Sequence, residues 1–207
     1  MTVRADAGPP PGPLVFLDRD GTLIVERHYL GDPAGVTLED GVVEGLHHLR
    51  GARARIAVVT NQSGIARGYF TPATVAAIHA EVDRQLAREG LHLDGWYVCP
   101  HGPQDGCRCR KPAPGLVETA CRDLVAKDSA ARDGACEPAG CFVIGDKPSD
   151  IDLAARVGGT GILVSRSAEA ARSGGLVVPS FRDAARIVTR LWRERRRATD
   201  RVGRICA

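Results

Sequence analysis

The sequence predicts an α/β domain: a Rossmann-like parallel sheet flanked by helices, with no large cap domain. Three observations predict it. Short apolar runs recur along the 207 residues, several end abruptly on polar side chains, and segments of helical spacing fall between them. Strands buried on both faces read as continuous apolar runs, and strands that alternate with helices are joined by right-handed crossovers. No internal repeat is visible, and the length suits one domain of the usual size.

After a Pro- and Gly-rich leader over 1–13, taken as disordered, the first run is Leu14-Val15-Phe16-Leu17, and it stops on Asp18-Arg19-Asp20-Gly21-Thr22. In a parallel sheet the carboxyl ends of the strands face the ligand crevice, so this placement aims two acids into it. A solvated loop pair is the alternative reading of a bare Asp-x-Asp. Residues 21–38 are too long for a simple connection and are expected to form a flap. A helix is expected over 41–50, then a strand over 56–60 that ends on Thr60. From Thr71 to Gly90 the helix signal is strong: Thr71 can cap, Pro72 suits the first turn, and Val75, Ile78, Val82 and Leu86 make one stripe.

A third strand is expected over 95–98, followed by Cys99-Pro-His101 and Cys107-Arg-Cys109. Three thiolates and an imidazole make a full tetrahedral shell for a structural Zn²⁺ with no open position. A redox or chance cluster is the alternative. Arg110-Lys111-Pro112 then places cations just before a helix over 114–126, and 127–140 reads as a surface loop. The strand over 141–145 ends on Asp146-Lys147, with Asp150 beyond it, and a helix over 149–157 and a strand over 161–164 follow. An acid, a hydroxyl, a cation and further carboxylates at strand ends are the parts of a Mg²⁺-assisted phosphoryl-transfer site.

The charge is uneven: from Arg182 onward nine arginines face only Asp183, Glu194 and Asp200. Phe181, Ile187, Val188, Leu191 and Trp192 recur at helical spacing, so a packed basic helix is expected over 181–207, with contact to nucleic acid or an acidic surface as the alternative. Of the 28 basic residues only 111, 127 and 147 are Lys, and two of these fall in the candidate site. There a compact point charge suits the chemistry better than a planar fork. No apolar stretch approaches the roughly 20 residues that cross a bilayer, and the start lacks a secretory segment. A cytoplasmic protein with mostly reduced cysteines is expected.

Taken together, Asp-Arg-Asp-Gly-Thr-Leu, Thr60-Asn-Gln-Ser-Gly-Ile-Ala-Arg-Gly68, Cys-x-His with Cys-x-Cys-Arg-Lys-Pro, and Gly-Asp-Lys-x-x-Asp resemble the haloacid dehalogenase superfamily. More narrowly, they resemble its D-glycero-D-manno-heptose 1,7-bisphosphate 7-phosphatases, over about Leu14 to Val164. The resemblance implies that Asp18 attacks phosphorus, Asp20 serves as acid and then base, and Thr60 and Lys111 hold the phosphoryl oxygens. Mg²⁺ would sit on Asp18, the Asp20 carbonyl and Asp146, with Asp150 in support. Glu26, Arg27, His28 and Tyr29 would lie in the flap, Asn61, Gln62 and Ser63 would line the pocket with Lys147, and Arg110 would meet the second phosphate. Arg67 either binds substrate or covers the following helix.

The expected substrate is therefore a phosphorylated sugar, bound by a monomer with no membrane or nucleic-acid partner. The division into a phosphatase domain over 14–180, with its zinc loop over 99–112, and a basic C-terminal helix follows. Histidinol-phosphate phosphatases share the zinc loop, and polynucleotide 3′-phosphatases share Thr-Asn-Gln. These, and a catalytically dead zinc-stabilised binding module, are the alternatives.

Overall fold

A computed structural model describes residues 12–127, 139–167, 170 and 175–205. Residues 128–138 of the surface loop expected over 127–140, and most of the expected leader, lie outside them. Gly12 and Pro13 are buried, and the Pro13 carbonyl accepts the Arg55 N–H at 3.0 Å. Six parallel strands form one sheet: β1 (Leu14–Leu17), β2 (Arg55–Asn61), β3 (Gly95–Cys99), β4 (Phe142–Gly145), β5 (Thr160–Val164) and β6 (Leu176–Val178), in the order β3-β2-β1-β4-β5-β6. Register sets Val15 beside both Ile56 and Phe142, and Thr60 beside Val98. The chain builds outward from β1 to β3, then returns to lay β4 on the other side of β1. Ligands bind at such a reversal, outside the strand ends.

Helices cover both faces, and the pleat sorts the strand residues between them. Val15, Leu17, Ile56, Val58, Phe142 and Ile144 face α1 (Val42–Gly51), α2 (Pro72–Arg88) and α5 (Phe181–Ile205), through Leu46, Leu49, Ile78, Val82, Leu86, Phe181 and Val188. On the other face Phe16, Ala57, Val59 and Val143 meet α3 (Gly115–Lys127) and α4 (Pro148–Arg156), through Val117, Ala120, Leu124, Leu153 and Ala154. Each fully buried Leu, Ile, Val or Phe contributes about 1.5–3 kcal/mol of transfer free energy.

α5 is built into this core: Phe181, Ala184, Ala185 and Val188 are buried, and Ile187, Leu191 and Trp192 are partly so. The apolar stripe expected there is thus a packing face, and the arginines lie largely outside it. Among the described residues no helix is long and apolar enough to cross a membrane. The Thr71 hydroxyl caps α2 by accepting the Thr74 N–H at 3.1 Å, as its position in sequence suggests. β6 was not anticipated; it is three residues long and partly exposed, too short to leave a pattern.

Residues 21–38 fold into two parts. At the base, Leu23 and Ile24 are fully buried, and Ile24 bridges to Asp20 and Leu38. The middle crosses the strand ends and is fixed by buried Leu30 and Val36 and by a Gln85 Nε2 bond to the Val36 carbonyl at 3.2 Å. The expected flap is therefore anchored to α2.

Candidate active site

Asp18 leaves the carboxyl end of β1, Thr60 stands near the end of β2, and Asp146 follows β4, so three neighbouring strands deliver the acids and the hydroxyl to one place. The Asp18 N–H still bonds the Ile144 carbonyl at 2.9 Å, which seats the acid at the carboxyl end of two central strands. The next turn is tight. Gly21 has φ +77°, and a Cβ there would lie 2.5 Å from Asp146 Oδ2, so only glycine lets the turn pack onto Asp146.

Lys111 is buried and its ammonium lies 2.8 Å from Asp18 Oδ1 and 2.7 Å from Asp150 Oδ1. Burial alone would favour neutral Lys111, but the Asp18 and Asp150 charges outweigh it and raise its pKa. Asp150 is itself buried; its other oxygen accepts the Lys147 N–H at 3.1 Å at the start of α4. Asn61 holds the Lys111 main chain, accepting its N–H at 3.0 Å and donating to its carbonyl at 3.2 Å.

Asp146 differs. Its Oδ1 is buried with no hydrogen-bond partner, and burial, reinforced by the Asp18 and Asp150 charges against the pull of Lys147, lifts its pKa to about 6. Asp18, Asp146 and Asp150 present oxygens within 4.8 Å of one another. A buried carboxylate oxygen without a partner fits a hard divalent cation. Asp150 has both oxygens engaged by Lys111 and the α4 amide, which leaves Asp18 and Asp146 to face such an ion.

Gln62 and Arg19 hold Asp20. Gln62 Nε2 donates to Asp20 Oδ2 at 2.8 Å and to Thr60 Oγ1 at 2.9 Å, while Gln62 Oε1 accepts Arg19 NH2 at 2.9 Å. The orientation of the amide is forced, because Arg19 can only donate and a carboxylate only accept. Arg19 lay outside the sequence-based set of site residues. Among the described residues it is the largest fully buried side chain, and its one signal in sequence is a cation placed between two acids at the end of an apolar run.

A cavity of about 340 Å³ opens over this floor. Asp18, Asp20, Glu26, Tyr29, Asn61, Gln62, Ser63, Arg110, Lys111 and Lys147 all line it. Thr60 lies beneath Gln62. Glu26 reaches across to Lys147 at 3.2 Å. Burial works against both charges, but Lys147 outweighs it for Glu26, whose pKa falls, and Asp146, Asp18 and Glu26 together outweigh it for Lys147, whose pKa rises. At the rim Tyr29 meets Tyr69 edge to face at 4.9 Å, and the Arg67 guanidinium lies 5.9 Å from the Tyr29 ring.

Behind Lys111 the cysteine loop closes on itself. Sγ atoms of Cys99, Cys107 and Cys109 lie 3.3–3.7 Å apart, and His101 Nδ1 is 3.2 Å from the Cys109 sulfur. Tetrahedral zinc with bonds near 2.3 Å sets sulfurs roughly 3.8 Å apart, so the donor set and its spacing fit that ion. Arg110 NH1 donates to the His101 carbonyl at 3.2 Å, joining the loop to the cavity wall.

Comparison with known proteins follows the same lines. A HAD-hydrolase-like family model matches residues 108–184. The D-glycero-beta-D-manno-heptose-1,7-bisphosphate 7-phosphatase of Salmonella typhi is 38% identical over 183 residues, 83% of this chain and 92% of that protein. Its counterpart from Escherichia coli K12 is 37% identical over 181 residues, 84% and 86% of the two chains. Among solved structures, D,D-heptose 1,7-bisphosphate phosphatase from B. bronchiseptica, complexed with magnesium and phosphate, superposes with a TM-score of 0.73 at 32% identity, over 86% of this chain and 98% of that one. With identity and coverage of this extent, the chain belongs to the D-glycero-beta-D-manno-heptose-1,7-bisphosphate 7-phosphatase family of haloacid dehalogenase-like hydrolases.

Proposed function

We propose that the protein is a phosphomonoester hydrolase that removes the 7-phosphate of D-glycero-D-manno-heptose 1,7-bisphosphate, leaving heptose 1-phosphate, through an aspartyl phosphate on Asp18. The observation that carries this reading is the buried Lys111 bridging Asp18 and Asp150 where the sheet reverses, with a second acid, Asp20, two residues from the nucleophile.

In the first step an Asp18 oxygen attacks phosphorus, the bond from phosphorus to the sugar oxygen breaks, and Asp20 gives that oxygen a proton. Next, water attacks the phosphorus while Asp20 takes its proton; the bond to Asp18 breaks and phosphate leaves. Lys111 offsets charge on the phosphoryl oxygens. The Thr60 hydroxyl already accepts from Gln62, so its own proton is free for one of those oxygens. Asp18, the Asp20 carbonyl and Asp146 would hold Mg²⁺, which neutralises phosphate charge and so favours attack by an anion. Cys99, His101, Cys107 and Cys109 would hold a structural Zn²⁺ that fixes Arg110 and Lys111.

Among the pocket residues, Asn61 and Gln62 have amides engaged by Lys111, Arg19, Asp20 and Thr60, so we assign them to holding the catalytic groups. Glu26, Tyr29, Ser63, Arg110 and Lys147 are left to meet the sugar and its second phosphate. We also propose that it acts as a monomer in the cytoplasm, where thiols stay reduced.

The test is side-by-side turnover of both heptose 1,7-bisphosphate anomers, histidinol phosphate and a 3′-phosphorylated oligonucleotide. Fastest release of phosphate from a heptose bisphosphate is expected. Faster histidinol phosphate or oligonucleotide hydrolysis would overturn the substrate, and an aluminium- or beryllium-fluoride adduct on a residue other than Asp18 would overturn the nucleophile.

A further inference from the structure

A guanidinium removed from solvent needs partners for its donors, and each of the three nitrogens of Arg19, which is 1% exposed, has one. Nε lies 3.1 and 3.2 Å from the two Asp20 oxygens, and NH2 donates to Asp20 Oδ1 at 2.9 Å and to Gln62 Oε1 at 2.9 Å. NH1 faces His79 Nε2 at 3.4 Å. Because Gln62 also donates to Asp20, the three side chains close a ring of hydrogen bonds around one carboxylate. The remaining Gln62 N–H goes to Thr60, so the same ring reaches the hydroxyl assigned to the phosphoryl oxygens.

His79 gives this ring a fixed back wall. It projects from α2, is buried, and stacks on Trp96 of β3 with centroids 3.9 Å apart and planes 9° from parallel. Trp96 is in turn fixed by an Nε1 bond to Asp83 at 3.1 Å. Burial and the Arg19 charge lower the His79 pKa to about 3, so the imidazole is neutral and its Nε2 accepts from Arg19. A protonated imidazole would repel the guanidinium it now supports. Helix α2 and strand β3, neither of which supplies an assigned catalytic group, thereby set where Arg19 stands.

Resting on the aspartyl-phosphate reading above, we infer that Arg19 is the positioning residue for proton transfer: braced by His79 and Trp96, it works with Gln62 to hold the Asp20 carboxylate in line with the leaving and attacking oxygens. Arg19 touches neither phosphate nor sugar in this role. A fork that contacts both carboxylate oxygens fixes the rotation of the carboxylate as well as its place, which a single point charge does not do.

The experiment separates aim from architecture by leaving group. A sugar oxygen needs a proton as it departs, whereas p-nitrophenolate leaves with its electron pair and needs none. Arg19→Gln should slow the first turnover of heptose 1,7-bisphosphate by about 10- to 100-fold, a share of the usual contribution of a general acid, while the first turnover of p-nitrophenyl phosphate changes less than about threefold. Attack of water still needs Asp20, so the variant should release a burst of about one p-nitrophenolate per chain and then turn over slowly. Arg19→Lys, with charge but no fork, should keep the same selectivity of loss.

His79→Phe removes the brace behind Arg19 without touching Asp20, Gln62 or Thr60, and should show the same pattern more weakly if Arg19→Gln does not fold. Equal losses on both substrates in the first turnover, or a variant without a burst, would reduce Arg19 to a structural residue and overturn the inference. A wild type that forms no phosphoenzyme from either substrate would instead remove the aspartyl-phosphate reading, and the inference with it.

Discussion

The side chain of Asn61 holds the main chain of Lys111 at both ends of one residue: Oδ1 accepts its N–H at 3.0 Å and Nδ2 donates to its carbonyl at 3.2 Å. The last residue of β2 thus sets the place of a lysine carried on a loop fifty positions away. Both Lys111 backbone groups would lose a partner in Asn61→Ala. We expect a loss of about 1–3 kcal/mol in stability, and a fall in kcat as Lys111 drifts from Asp18. Chemical denaturation and steady-state kinetics read the two effects, and an unchanged kcat would count against this coupling.

Asp146 predicts an opposite pairing of stability and function. Its pKa rises in the fold, from 3.8 to about 6, so between those values the folded protein holds more protons than the unfolded chain. The metal-free protein should therefore lose stability as pH rises through that window and carry the full penalty above about 6. Asp146→Asn should raise the melting temperature in EDTA at pH 7 while abolishing activity. In the wild type, protons should compete with Mg²⁺ below pH about 6, which isothermal titration across pH 5–7 would show as weakening affinity.

Zinc removal should act through geometry. Cys107→Ser/Cys109→Ser should contain no zinc, melt at lower temperature and show a reduced kcat, since Arg110 and Lys111 directly follow the loop. Elemental analysis of the wild type should give about one zinc per chain. A double variant as stable and active as the parent would remove the ion from the account.

Specificity for a bisphosphate is expected to pass through Arg110, which lines the cavity and is steadied by the His101 carbonyl. A charge-assisted contact worth about 1.5–3 kcal/mol corresponds to a ten- to hundredfold effect. Arg110→Ala should impose a kcat/KM loss of that size on heptose 1,7-bisphosphate and far less on a small monophosphate. Equal losses on both would assign Arg110 to the transferred group.

What the sequence disclosed follows from how information lies along it. β1, β2 and β4 are buried on both faces, so they appear as apolar runs, and Asp18, Thr60 and Asp146 stand out because a strand's end is also its place in the crevice. The cysteine cluster was legible because three thiols and an imidazole share one loop. Arg19 was not, since its meaning depends on Gln62 and His79, which reach it across the sheet and from a helix. Asn61 and Gln62 line the cavity, but which way their amides turn depends on neighbours that only packing supplies. β6 left no pattern because three residues hold too little of one.

The position of β1 has a consequence for how the enzyme comes into being. The strand that leads into both acids is synthesised before the other strands of the sheet, yet it is flanked by β2 on one side and β4 on the other, and the Asp18 amide is bonded only when Ile144 arrives. A nascent chain still lacking β4 exposes that edge, with its acids beside unpaired amides and carbonyls open to any other strand. Competence for phosphoryl chemistry thus waits on β4, and a chain that stops short of that strand keeps the Asp18-Arg19-Asp20 motif without Asp146 and Asp150.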